Sequence, residues 1–203
     1  RGFGVIKKEN YFDKLKIAIL IPCYNEEAAI KKVVNDFQLA IPSALVYVYD
    51  NASTDKTVEI ATKAGAIVRT EPNKGKGNVM RRMFSDIESD VYIIVDGDDT
   101  YEASIAPKMI EQLVQEELDM VVGIRRSLEV KKSYRRGHVF GNWLLTRAVA
   151  FLFGKGFNDM LSGYRVMSRR FVKSFPIISK GFEIETEMTI HTLQIGIPYG
   201  EVE

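Results

Sequence analysis

Asp90–Tyr101 reads DVYIIVDGDDTY, and this stretch decides the fold. Val91 to Val95 form an unbroken apolar run, mostly β-branched or aromatic, that stops at Asp96, Gly97, Asp98 and Asp99. Such a run predicts a strand buried on both faces of a sheet. In open α/β sheets ligands lie beyond the carboxyl ends of the strands, so the three carboxylates are expected together on that rim. Clustered carboxylates repel one another unless a cation sits among them. Hard cations such as Mg²⁺ or Mn²⁺ take oxygen ligands, including substrate phosphates. The plain alternative is an acidic turn with Asp98 or Asp99 capping the next helix, which explains one acid well and three poorly.

Strands of the same kind precede and follow. Lys16–Pro22 (KIAILIP) predicts a first core strand, closed by Pro22 because proline cannot donate to a sheet ladder. Ala28–Ala40 carries Ile30, Val33, Val34 and Phe37 at helical spacing, with Asn25 as the expected N-cap and acids in the first turn. Ala44–Asp50 (ALVYVYD) predicts a second strand ending in a carboxylate, Thr54–Ala64 a helix closed by Gly65, and Ala66–Thr70 a third strand. Asn73–Asn78 (NKGKGN) sets two glycines and two lysines before a helix over Met80–Ile87. That composition could cradle phosphate through backbone N–H groups, or be a flexible loop with solvated lysines; its spacing matches neither a P-loop nor a dinucleotide fingerprint. A helix over Ile105–Glu117 leads into a strand over Asp119–Ile124. Five alternations of strand and helix imply βαβ units and a mostly parallel sheet, with the site between the ends marked by Asp50 and Asp96.

The second half is less regular. Arg125–Arg136 holds six Lys/Arg against Glu129, and His138–Phe153 is almost wholly apolar, with Phe140, Trp143, Phe151 and Phe153. Together they read either as an interfacial helix with a basic flank on an anionic membrane, or as a core helix beside a solvated basic loop. Asp159–Arg170 (DMLSGYRVMSRR) places arginines, whose forks suit phosphate oxygens, near a strand over Tyr164–Ser168. Phe182–Leu193 predicts a helix bearing Glu183, Glu185 and Glu187, and Ile197–Val202 a closing strand.

Composition bounds the function. At 203 residues, 46% hydrophobic and 27% charged, the chain suits one sizeable core. A formal net charge of +1 argues against nucleic acid as a partner. The lone Cys23 cannot form an internal disulfide, and reads as a buried inert thiol in a reducing compartment. Arg1–Asp13 is polar, so no signal peptide is expected, and no run approaches the length of a membrane span. His138 and His191 lack ligand-spaced partners and read as structural.

The ordered set IPCYNEE, YDNASTD, NKGKGN, VDGDDTY, VGIRR, DMLSGYR and GFEIETEM resembles family 2 glycosyltransferases of the GT-A fold, over Lys16 to Glu203. Within them it is most similar to the branch that glycosylates polyprenyl phosphates. The resemblance implies a single α/β domain over 16–203 behind an N-terminal extension over 1–15, with a Rossmann-like, mostly parallel sheet flanked by helices on both faces. It puts Pro22, Tyr24, Glu26, Asp50, Ser53, Lys76, Asp96, Gly97 and Asp98 around the nucleotide-sugar. Asp96 and Asp98 would hold Mg²⁺ or Mn²⁺, Asp98 the more firmly. Arg125, with Arg135 or Arg136, would meet the acceptor phosphate, and Ser162, Gly163 and Arg165 would form the loop beneath it. Asp159 stands where many members keep a catalytic acid. Arg125 and Asp98 complete the catalytic set. Two departures stand out: Thr100 replaces a glutamine ligand of the mannosyltransferases, and Ala52 a usual glycine.

The implied reaction is inverting, metal-dependent transfer from a UDP- or GDP-sugar to an undecaprenyl- or dolichyl-type phosphate. It would take place on the cytoplasmic side of a membrane, with the domain peripheral as given or anchored by a further C-terminal segment; a homo-oligomer is left open. A phosphate acceptor needs no general base, whereas a hydroxyl acceptor would need Asp159. The alternatives are therefore a family 2 enzyme acting on a sugar or protein hydroxyl, and a non-catalytic nucleotide-sugar-binding protein.

Overall fold

Seven strands line up in the order β3-β2-β1-β4-β6-β5-β7 in a computed structural model that describes residues 14–124 and 157–203. In chain order the elements are β1 (Ile17–Cys23), α1 (Ile30–Ala40), β2 (Leu45–Asp50), α2 (Thr57–Lys63), β3 (Ile67–Thr70), α3 (Lys76–Asp86) and β4 (Val91–Ile94). A short 3-10 turn (Ala103–Ile105) then precedes α4 (Ala106–Gln115), β5 (Met120–Gly123), β6 (Arg165–Ser168), α5 (Arg169–Ser174), α6 (Ile184–Gln194) and β7 (Tyr199–Val202). All pairings are parallel except those of β6, which runs antiparallel to both β4 and β5. The chain order turns back at the β1/β4 boundary: β2 and β3 lie on one side of it, β4 and the later strands on the other. That reversal opens a crevice at the carboxyl ends of β1 and β4.

Alternation along β1 and β4 builds two cores. Ile17, Ile19, Ile21, Ile93 and Val95 pack with α1 and α4, through Val34, Phe37, Met109 and Ile110. Ala18, Leu20, Tyr92 and Ile94 face the other way, onto Met80 and Met83 of α3, Phe171 of α5 and Ile184 and Met188 of α6. Both faces of the central strands are covered, which is why they read as continuous apolar runs rather than alternating ones. Among the described residues, no helix is long and apolar enough to cross a membrane. The basic segment Arg125–Arg136 and the apolar stretch His138–Phe153 lie outside the described residues, as does most of the expected N-terminal extension.

Two local expectations fail for identifiable reasons. Pro22 does not end β1; it pairs with Tyr49, and Cys23 with Asp50. The Leu20 carbonyl accepts from Val95 N on the β4 side and the Cys23 carbonyl accepts from Asn51 N on the β2 side, so alternation turns the nitrogen of Pro22 towards β4. Pairing with β4 has already stopped at Leu20–Ile94, so the missing N–H breaks no rung. Asn25 is not the cap of α1, which starts after Ala29 with no side-chain cap and no acid in its first turn. Asn25 instead takes a left-handed φ of 57°, and its Oδ1 accepts from Thr54 N at 2.8 Å. It ties the loop after β1 to the loop after β2.

Candidate active site

The carboxyl ends of β1, β2 and β4 carry the expected acids, braced by neighbouring loops. Asn25 N donates to Ser53 Oγ at 2.8 Å, Glu26 N to Thr57 Oγ1 at 2.8 Å, and Glu27 N to Asp55 Oδ2 at 3.1 Å. Ser53 therefore supports the Tyr24–Glu26 turn, and its own N–H donates to Asp50 Oδ2 at 3.1 Å. Asp50 is buried, and its Oδ1 has no hydrogen-bond partner among the described residues. Asn51 follows it inward: its amide donates to the carbonyls of Glu71 and Asn73 and accepts from Gly75 N at 2.7 Å. Between Asn51 and Ser53, Ala52 is held at φ 63°, where an L side chain is strained and glycine is at ease. Ala52→Gly is expected to stabilise the fold by about 0.5–1 kcal/mol. Urea denaturation would show no gain if the strain were absent.

The NKGKGN loop is not an open phosphate cradle. Gly77 N donates to the Gly181 carbonyl at 3.2 Å and Asn78 N to that of Lys180 at 3.3 Å. A Cβ at Gly75 would overlap the Lys180 carbonyl, and one at Gly77 the Ser179 carbonyl. The glycines are there because another backbone lies against them. That backbone is held by the glutamates of GFEIETEM. Glu187 accepts from Ile178 N and Ser179 N at 2.8 Å each, and Glu183 accepts from Gly181 N at 3.0 Å. Helix α3 consequently starts at Lys76, inside the motif and earlier than the Met80 start expected from apolar spacing.

Lys76 points into the interior. Its side chain is 8% exposed and its ammonium lies between Asp96 Oδ1, at 2.5 Å, and the carboxylate of Glu185, itself 8% exposed. Burial pulls the ammonium towards neutrality, but Asp96 and Glu185 outweigh it and hold its pKa above the usual lysine value. Gly163 backs onto the same place, since a Cβ there would overlap the Asp96 carboxylate, and its N–H donates to Tyr101 Oη at 2.8 Å. Gly97 sits on the end of β1, where a Cβ would come 2.7 Å from Cys23 Sγ. The Cys23 thiol is raised by burial first, then by Glu26, Asp50 and Asp96, which suits the inert role expected of it.

Asp98 Oδ1 accepts from Thr100 N at 3.0 Å, while Asp99, at φ 62°, pairs with Lys32 at 2.7 Å. Glu26 has its carboxyl pKa raised by burial, then by Asp98 and Asp96. Like charges thus crowd this rim, which is the condition a divalent cation relieves. Among the described residues no three Asp, Glu, His or Cys side chains already surround one point. The oxygen donors of Asp96 and Asp98 fit a hard cation whose remaining ligands come from phosphate and water.

The expected acceptor loop needs correcting. Ser162 is fully buried and donates through Oγ to the Gly123 carbonyl at 2.6 Å. Arg165 is fully buried as well, and burial lowers its pKa to about 10. Its guanidinium donates to the carbonyls of Ser162, Met160 and Glu185 and to Thr189 Oγ1, so no fork is presented to a ligand. Both residues hold the loop from within. Asp159 is buried beneath it. Arg125, Arg135 and Arg136 lie outside the described residues. His191 packs edge-on to Phe171 and Phe175, a structural role.

The sequence reading passed over Glu185, although its signal was present. Glutamates at 183, 185 and 187 step about 200° apart on a helix, so 183 and 187 share a face and 185 must point the other way.

The protein comparisons agree with this architecture. Residues 18–175 match the family described as Glycosyl transferase family 2. Protein RfbJ of Shigella flexneri is 56% identical over 127 residues, 63% of this chain and 98% of RfbJ. Glycosyltransferase AglJ of Haloferax volcanii is 39% identical over 182 residues, 89% of this chain but only 59% of AglJ. A dolichyl-phosphate hexose transferase from the same organism is 31% identical over 161 residues, 79% of this chain and 69% of the relative. In structure, glucosyl-3-phosphoglycerate synthase from Mycobacterium tuberculosis in complex with Mn²⁺, UDP and phosphoglyceric acid superposes with a TM-score of 0.76 at 23% identity. That match covers 93% of this chain and 68% of the synthase. With the fold, the β1/β4 crevice and the family match in agreement, the chain belongs to glycosyl transferase family 2 and is a glycosyltransferase of the GT-A fold.

Proposed function

We propose that the enzyme transfers a sugar from a nucleotide-sugar, UDP- or GDP-linked, to a polyprenyl phosphate at the cytoplasmic face of a membrane, with inversion at the anomeric carbon. The observation that carries the donor half is the convergence of Asp96, Asp98 and Glu26 in the β1/β4 crevice, with Asp50 at the neighbouring strand end. Asp96 and Asp98 would hold Mg²⁺ or Mn²⁺, which when bound neutralises charge developing on the diphosphate leaving group. Pro22, Tyr24, Glu26, Asp50 and Ser53 line the strand-end loops where a nucleoside would lie, and Gly97 lets β4 close against β1. Lys76 supplies a fixed positive charge beside Asp96.

The acceptor half is supported by similarity to a dolichyl-phosphate hexose transferase and by the six Lys/Arg between Arg125 and Arg136. A phosphate acceptor is already anionic near neutral pH, its second pKa being roughly 6, so positioning replaces proton removal. The burial of Asp159 fits a route without a general base. On this reading Arg135→Ala with Arg136→Ala reduces transfer to undecaprenyl or dolichyl phosphate by about tenfold or more, and leaves UDP-sugar binding intact. The assay incubates UDP- and GDP-sugars with each lipid phosphate and weighs the lipid product. Full activity in the arginine variant, combined with abolition by Asp159→Asn, would instead assign a hydroxyl acceptor.

A further inference from the structure

We propose that Glu185 is a positioning residue: it shares the Lys76 ammonium with Asp96 and thereby keeps Asp96 available to a divalent cation. The inference rests on the metal reading given above and adds a residue from the far end of the chain to it.

Lys76 and Glu185 are each 8% exposed on their side chains, while Asp96, the second partner of Lys76, is 30% exposed and faces the crevice. The group of two carboxylates and one ammonium carries a net charge of −1. A single buried Lys–Asp pair would be neutral and closed on itself, and an entering cation would have to break it. With Glu185 present, the ammonium stays satisfied on its inner side when Asp96 turns to a cation. Glu185 itself is fixed by helix phase, because Glu183 and Glu187 on the opposite face of α6 grip the 178–181 backbone. The Arg165 guanidinium feels the Glu185 charge, but its hydrogen bond goes to the Glu185 carbonyl, which leaves the carboxylate to Lys76.

The test is Mn²⁺ titration of the full chain, followed by loss of the free-ion paramagnetic resonance signal, with and without UDP. Glu185→Gln is expected to weaken Mn²⁺ binding on the order of tenfold, because the Lys76 ammonium is then left to Asp96 alone and an entering cation must displace it. Glu185→Asp, which restores the charge, recovers most of the affinity. Lys76→Met moves the other way and tightens binding, because it removes both the competing cation and the pair. In the Lys76→Met background, Glu185→Gln has little further effect, since its action runs through Lys76. The proposal is overturned if Glu185→Gln leaves Mn²⁺ affinity unchanged, or weakens it equally with Lys76 absent. It is overturned too if the Gln and Met variants both weaken binding, which would mean damage to the fold alone. If the wild type takes up no Mn²⁺ and Asp98→Asn changes nothing, the metal reading falls and this inference with it. Asp98-dependent uptake that ignores Glu185 refutes the inference only.

Discussion

Asp98→Asn is expected to lower turnover at least about 10²-fold, the scale on which a lost electrostatic stabiliser is felt. Asn keeps the Oδ1 that accepts from Thr100 N, so the turn after β4 retains its shape while the charge disappears. Any loss is then a loss of charge rather than of geometry. Melting of the variant should stay close to the parent, because removing one of three crowded acids also relieves the repulsion that raises Glu26. Near-normal turnover of Asp98→Asn in the presence of EDTA would remove the metal from the reaction.

Arg165→Ala should destabilise the fold by about 3–5 kcal/mol, the range for a buried polar bracket removed from a core. At neutral pH the guanidinium is charged even with its pKa drawn down to about 10, and it is matched by carbonyls from two directions. Truncation leaves a cavity at the β6–α6 seam and strips the Ser162 carbonyl of a donor. Arg165→Lys should rescue little, since one ammonium cannot span what the fork reaches. An unfolding free energy from urea denaturation within about 1 kcal/mol of the parent would show that the carbonyls find other partners.

The half of the molecule before Ile124 is legible in sequence because its central strands, β1, β4 and β5, are buried on both faces and helices alternate with the strands. β1, β2, β4 and β5 all show as apolar runs, and their carboxyl ends lead directly to Asp50 and Asp96. What is not legible is direction and order. Arg165–Ser168 is as buried as a parallel strand, so nothing in its composition reveals that β6 enters antiparallel between β4 and β5. Helix α5 was missed because its cap, Ser168 Oγ accepting from Phe171 N, sits in a stretch whose arginines suggest phosphate. Arg165 was misplaced for the same reason: sequence gives the fork but not the carbonyls that occupy it. The glycines of NKGKGN were visible, but the partner that requires them is about a hundred residues away.

The insertion of β6 also sets an order of events. β3, β2, β1 and β4 pair only with one another until β6 arrives, and β5 pairs only with β6 and β7. As the chain emerges from the ribosome, β5 is made before it has an edge to join, and it waits for about forty further residues. The first four strands can meanwhile assemble with Asp50 and Asp96 in place. Lys76 then holds Asp96 alone, and its second partner, Glu185, is delivered only with one of the last helices. The nascent protein therefore builds its acidic rim early and balances it late, and Lys76 becomes a buried charge only as its second partner arrives.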